Sequence, residues 1–241
     1  MARSDASAGC RKLPRAIRGL LAGALALALV YALYPLALRC LAAALSDNES
    51  NLAEPDFVCM AAGGNGLAEA VIACRRRPGC QILLISQRSN RLVEVGVLTR
   101  WELQMRRSLE EAGVVSSQIM IDERPVATEW EMAERMSDRL AADPQASLLI
   151  LCDQFSGRRW RQIVRNTAPD HVARRIHVQS VRDSAVDMHD WWHSKAGIQG
   201  IYHGLLGLIF AVVHWRESVP CEDSPAAEYE ELSLQRSILR H

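Results

Sequence analysis

Apolar positions along this chain form one long run and several short ones. The long run is uncharged and extends from Gly19 to Leu38. The short runs are separated by stretches with helical spacing. Continuous apolar runs of four to eight residues suit strands of a parallel sheet covered on both faces. The strands predicted are Asp56 to Ala61, Gln81 to Ser86, Gln118 to Ile121, Leu148 to Leu151 and Arg175 to Gln179. Between them the pattern predicts helices over Leu67 to Arg76, Val97 to Ala112 and Thr128 to Ala141, and a fourth reaching about Thr167. Gly113 stops the second helix. Thr128, with Glu131 three residues on, reads as a capping box opening the third. Strands alternating with helices of this length predict an α/β fold, a three-layer α/β/α domain with a mainly parallel five-stranded sheet. Past Asp183 the alternation stops. Ile198 to Trp215 is weakly polar and reads as a closing helix, with docking on a bilayer surface as the other reading.

The long run has about the 20 residues needed to cross a bilayer core. Arg11, Lys12, Arg15 and Arg18 precede it, and Asp47, Glu49, Glu54 and Asp56 follow it. By the positive-inside rule this predicts a single-pass protein of the inner (cytoplasmic) membrane, N-terminus inside and the α/β domain on the exported side. The lipid bilayer is then a partner through the N-terminal helix. Tyr31 and Tyr34 suit the far interface. A cleaved signal peptide competes, because Ala42-Ala43-Ala44 offers a small-residue cleavage site, whereas Arg39 interrupts the approach to it. The organisation expected is a basic cytoplasmic segment (1–18), a transmembrane anchor (19–45), a linker (46–54), the α/β domain (55–216) and a polar, disordered tail (217–241). Lys and Arg number 28 and Asp and Glu 28, so the formal net charge is zero. Nucleic acid is therefore not an expected partner.

Candidate chemistry gathers where strands end. After Leu148 to Leu151 come Asp153, Gln154 and Ser156, and then Arg158, Arg159 and Arg161 in the next helix. In open α/β sheets ligands bind at the carboxyl ends of strands. Guanidinium groups beside the N–H donors of a helix start suit a phosphate or carboxylate; a strand–helix joint with solvated arginines is the plain alternative. Gly63-Gly64-Asn65-Gly66 follows the first strand. It fits neither the dinucleotide fingerprint nor the P-loop, and reads either as a phosphate-approaching turn or as a tight structural turn. Asp187, His189, Asp190 and His193 lie close together without a third metal ligand at fixed spacing, so no metal is assigned. The chain has seven cysteines and no Cys-x-x-Cys. Cys59 and Cys152 read as buried apolar residues. Cys74 and Cys80 flank a Pro78-Gly79 turn and read either as a disulfide or as two unpaired thiols.

The ordered series of motifs resembles the YdcF/SanA/ElyC-like family, a domain family of unknown function. It runs from the strand into Gly63-Gly64, through Gly113-Val114 to Glu123 and the Thr128-x-x-Glu131 helix start. It continues with Phe155-x-x-Arg158-Arg159 and ends in Trp191-Trp192-x-Ser194-x-x-Gly197 before the final helix. The resemblance spans about Asp56 to Val213. It implies a Rossmann-like fold, one N-terminal membrane segment and work in the cell envelope. It also implicates Gly63, Gly64, Glu123, Thr128, Glu131, Asp153, Arg158 and Arg159. The chain departs from the family in three places. Ser156 stands where relatives carry a histidine, Ser86-Gln87 where they carry Ser-Gly, and His203 where they carry an acid early in the final helix.

Together these features predict a membrane-anchored cell-envelope protein with a site for a phosphorylated or anionic ligand. An envelope polysaccharide or peptidoglycan precursor, phosphorylated or lipid-linked, is the candidate partner. Asp153 and Glu123 are the catalytic candidates. Gly63, Gly64, Ser86, Thr128, Ser156, Arg158 and Arg159 are the ligand-binding candidates, with Arg161 expected to point away. The sequence names no cofactor. The alternative is a non-catalytic envelope scaffold or ligand sensor, since the missing histidine and acid remove acid/base groups.

Overall fold

Two-sided burial decides how this chain is layered. In the computed structural model, which describes residues 15–46, 54–61, 64–88 and 91–213, alternate residues of each inner strand face opposite helical layers. The chain divides into two compact units, Met1–Leu41 and Ala42–His241.

Helix α1 (Arg15–Leu45) makes up the described part of the first unit and runs on into the second. Its stretch Gly23–Leu45 has a mean hydropathy of 1.9, long and apolar enough by length and composition to cross a membrane. Leu25, Leu27, Leu29, Val30 and Leu33 are all exposed. The second unit takes in the end of α1, where Ala42 and Leu45 are buried. The expected basic segment before residue 15, part of the linker and the tail beyond Val213 lie outside the described residues.

The second unit is an α/β domain. In chain order its elements are β1 (Phe57–Met60), α2 (Leu67–Arg76), β2 (Gln81–Gln87), α3 (Arg91–Glu94), α4 (Trp101–Glu111), β3 (Ile119–Val126), α5 (Glu129–Ala142), β4 (Leu148–Asp153), α6 (Gly157–Thr167), α7 (Asp170–Ala173), β5 (Ile176–Val181) and α8 (Lys195–Val213). The sheet has the order β3-β2-β1-β4-β5, and every pairing is parallel. Phe57, Cys59, Leu83, Ile85, Leu148 and Ile150 pack with Met132, Met136 and Leu140 of α5 and Trp160 and Ile163 of α6. Val58, Met60, Ile82, Leu84, Leu149 and Leu151 pack on the other face with Ala70 and Cys74 of α2 and Met105 and Leu109 of α4. Helices thus cover both sides of the sheet, an arrangement consistent with a Rossmann-like fold.

Local chemistry sets the boundaries. Gly113, at φ +91°, lets the chain leave α4. Its N–H donates to the Glu110 carbonyl and the Val114 N–H to the Leu109 carbonyl, both at 3.0 Å, which is a Schellman ending. Thr128 caps α5 by accepting the Glu131 N–H at 3.2 Å. The Glu131 carboxylate reaches one residue further than a capping box expects, accepting the Ala127 N–H at 2.8 Å. The helix expected from Val97 starts only at Trp101. Strand β3 runs on to Val126 rather than ending at Ile121, and as an edge strand it tolerates Pro125. Cys74 and Cys80 are both buried and both free. The Cys74 thiol donates to the Cys80 carbonyl at 3.9 Å, so the structure shows the unpaired alternative.

At the amino ends of the strands, Asp56 clamps three segments. Its carboxylate meets the Arg77 guanidinium at 2.5 Å and accepts from both the N–H and the hydroxyl of Ser147 at 2.9 Å. Arg77 also donates to the Glu54 carbonyl at 2.8 Å. Arg77, the last of the basic run Arg75-Arg76-Arg77, therefore has a structural role.

Candidate functional site

The strand order places the site. β1 leads outward to β2 and β3 on one side, and the chain then returns to lay β4 and β5 on the other. Consecutive crossovers part between β1 and β4, leaving a crevice past their carboxyl ends. A cleft of about 400 Å³ occupies that place. Asn65, in the 3-10 turn Gly64–Gly66 after β1, contributes from one side. Asp153, Gln154, Phe155, Ser156 and Arg159 contribute from the end of β4 and the start of α6, and Asp183 from just beyond β5. The first turns of α8 close it with Ala196, Gly200 and His203.

Arg159 organises the charge. Its Nη2 meets Glu129 Oε1 at 2.5 Å and lies 3.5 Å from the Ser156 hydroxyl. Glu129 opens α5, so this ion pair ties together the starts of α5 and α6, neighbours on one face of the sheet. Burial pushes the Glu129 carboxyl above the usual carboxylate range, Asp153 adds to the rise, and Arg159 opposes it. Burial also raises Asp153; Arg159 opposes that rise and Asp183 reinforces it. Two carboxyls are thus held above their ordinary values beside one guanidinium, the environment in which acid/base groups are tuned.

The hydrogen-bond donors are not all used. Gln154 is 4% exposed, and its Oε1 accepts the Asp183 N–H at 2.8 Å. Among the described residues, its Nε2 and the Arg159 Nε have no acceptor. Helix α6 starts here with no acidic residue in its first turn and no side-chain cap. Its positive end is therefore not neutralised within the helix itself.

The structure brings together some of the residues expected at the site and separates others. Asp153, Ser156 and Arg159 line the cleft. Gly64 begins the 3-10 turn that carries Asn65, while Gly63 lies outside the described residues. Thr128 sits one residue before Glu129, where it caps α5. Ser86 is buried at the end of β2 and does not line the cleft. Glu123 is exposed on the edge strand β3, three strand spacings from β4, or about 14 Å. It does not line the cleft either. Arg158 does not join Arg159. It donates to the Ala44 carbonyl at 3.3 Å and shares a second groove with Arg161, against the expectation that these two diverge. Successive helix positions are turned about 100° apart, so one α6 register cannot aim both Arg158 and Arg159 into the cleft.

Gln154, Asp183 and Asn65, which the sequence reading did not propose as catalytic or ligand-binding, also line the cleft, and Glu129 joins it through its ion pair with Arg159. Asp183 had a signal, because it follows β5 as Asp153 ends β4. Glu129 had none, since an acid in the first turn of a helix is ordinary.

Burial also accounts for two thiols. Cys59 and Cys152 are both pushed up to about 12 by burial, which keeps them protonated.

No protein-family model, curated protein or solved structure matches this chain.

Proposed function

We propose that this is a membrane-anchored α/β protein whose cleft binds a polar ligand through an anionic group, phosphate or carboxylate. The observation behind the reading is the Arg159 guanidinium, fixed by Glu129 beside the uncapped start of α6 at the crevice between β1 and β4. An anion there would meet a delocalised cation and helix-start N–H donors together. A ligand oxygen reached by a small rotation of Gln154 would satisfy its unused amide donor. Asp153, raised above its ordinary range and exposed in the cleft, is the acid/base candidate.

The uncharged run Gly19 to Leu38 within α1, with basic residues before it, supports placing the chain in the inner membrane, N-terminus inside. With that placement, the resemblance to the YdcF/SanA/ElyC-like family supports a phosphorylated or lipid-linked envelope precursor as ligand. Transfer or hydrolysis at its phosphate is the chemistry proposed. One observation favours a second reading, a ligand sensor or scaffold. Ser156 and His203 line the cleft where that family carries a histidine and an acid.

The test is calorimetric titration of the detergent-solubilised full chain with sugar phosphates, nucleotides and lipid-linked precursors, with product analysis alongside. Saturable binding that Arg159→Gln weakens and Arg158→Gln leaves intact supports the anion site. Binding with turnover selects the enzyme, and binding without turnover the sensor. Equal losses in both variants would reduce the effect to diffuse surface charge.

A further inference from the structure

Helix α8 carries its small residues inward and its large apolar residues outward. Gly197, Gly200, Gly204 and Gly207 recur at spacings of three and four, so they share one face. That face meets protein closely. A Cβ on Gly204 would stand 2.4 Å from the Phe155 carbonyl oxygen, and one on Gly207 2.5 Å from the Arg159 side chain. The opposite face holds Tyr202, Leu205, Leu206, Ile209, Phe210 and Val213, all exposed. A helix docked on a water-facing domain normally turns such residues toward the core. Here the helix has a mean hydropathy of 1.7, yet only 22% of its apolar stretch is buried. A contiguous apolar face of this kind marks an interaction surface.

A second observation says what kind of surface covers it. A groove of about 480 Å³ runs beside the carboxyl half of α8. Arg158, Arg161 and Arg165 of α6 line it together with Leu208 and Val212 of α8, and among the described residues no acidic one does. These positions recur every three or four residues, so the arginines form one row along α6. Ala43 and Ala44, in the last turn of α1, and Ser46 just past its end complete the groove. An apolar helix face bordered by a row of arginines is complementary to a bilayer surface with anionic headgroups.

We propose that α8 lies in the plane of the membrane surface. Its outer face enters the boundary between headgroups and acyl chains, and the Arg158–Arg161–Arg165 groove takes lipid phosphates. The proposal rests on the reading of α1 as an anchor. A spanning α8 would have to abandon its glycine contacts with Phe155 and Arg159, and the bond from Asn166 Nδ2 to the Ala211 carbonyl at 3.2 Å.

The experiment uses the full chain in nanodiscs of neutral phosphatidylcholine, with and without phosphatidylglycerol. Single spin labels are placed by Ile209→Cys on the outer face of α8, Leu103→Cys on α4 and Leu29→Cys in α1. The exposed Cys40, together with Cys10 and Cys221, is replaced by serine. Accessibility to oxygen and to a water-soluble nickel chelate gives the depth of each label. The result expected is interfacial depth at residue 209, water at 103 and the bilayer core at 29. Phosphatidylglycerol should deepen the 209 label, and Arg158→Gln/Arg161→Gln/Arg165→Gln should abolish that effect. Arg165→Gln alone should reduce it, which covers a triple variant that fails to fold. A 209 label as wet as 103, with 29 still in the core, overturns the docking and leaves the anchor standing. A 209 label shielded from both reagents reports a protein partner, such as a second copy, and also overturns it. An interfacial 209 with a wet 29 supports the docking and rejects the anchor.

Discussion

Arg159 and Asp153 are the residues whose substitution separates binding from stability. Removing the guanidinium deletes a charged, oriented donor, and Arg159→Gln should weaken anion binding by about 1.5–3 kcal/mol, roughly 10- to 100-fold. Titration calorimetry measures this directly. Asp153 carries a cost in the folded state, because burial raises its carboxyl above the usual range. Between the unfolded and folded pKa values the folded protein then binds more protons than the unfolded chain. Its contribution to stability is fully present below the ordinary carboxylate value of about 4 and is lost as pH rises through the folded value. Asp153→Asn should therefore raise the melting temperature at neutral pH, and the gap should narrow on acidification toward about pH 4. Thermal melts of both proteins across that range decide it; an Asn variant that melts lower at neutral pH would show that Asp153 is stabilised in place. At this scale the sequence was half legible. The run from Asp153 to Arg159 pointed to the place where the cleft lies, because a buried strand ending in polar residues is a local pattern. Which of two adjacent arginines enters the cleft depends on the rotation of α6 against β4. Glu129 reaches the site only through tertiary packing, and neither fact has a local signature.

At the level of elements, capping and close approach carry the sharpest expectations. Thr128→Ala removes the acceptor of the Glu131 N–H and should cost about 1 kcal/mol. Gly204→Ala would drive a methyl against the Phe155 backbone and should cost about 1–3 kcal/mol. Gly79→Ala, with nothing within 4 Å of its added carbon, is the control and should be near neutral. Denaturant unfolding of the three variants ranks them, and a neutral Gly204→Ala would mean that α8 docks more loosely than described. Helix α2 matched its expected bounds, because its apolar spacing and its basic last turn are local. Strand β3 was expected to end five residues too early, at Ile121 rather than Val126, because Asp122, Glu123 and Arg124 look like a loop. What makes them strand is pairing with β2, whose register shifts between Ile85 and Gln87 before Gln87 meets Val126. The sequence reading gave the glycines of α8 no role; in the fold they are where the helix comes closest to its neighbours.

For the whole molecule, the anchor reading fixes a topology that can be checked in cells. A reporter fused after His241 should be active only on the exported side; cytoplasmic activity would reverse the orientation. The parallel sheet itself was legible from alternating apolar runs and helical stretches, whereas the strand order was not, since nothing local tells β4 to choose β1 as its neighbour. That choice also governs the order of events as the chain is made. β1 is the central strand, yet one of its two edges stays open until β4 arrives, and the joint is locked by Asp56 and Ser147, 91 residues apart. Closing so long a loop costs entropy before any contact rewards it. A chain released from the ribosome before residue 148 would hold β1 as an uncovered, wholly apolar edge, the kind of template that recruits other chains. Nascent chains stalled short of β4 should therefore remain protease-sensitive across residues 57–60 and associate with chaperones, and chains stalled well beyond β5 should not.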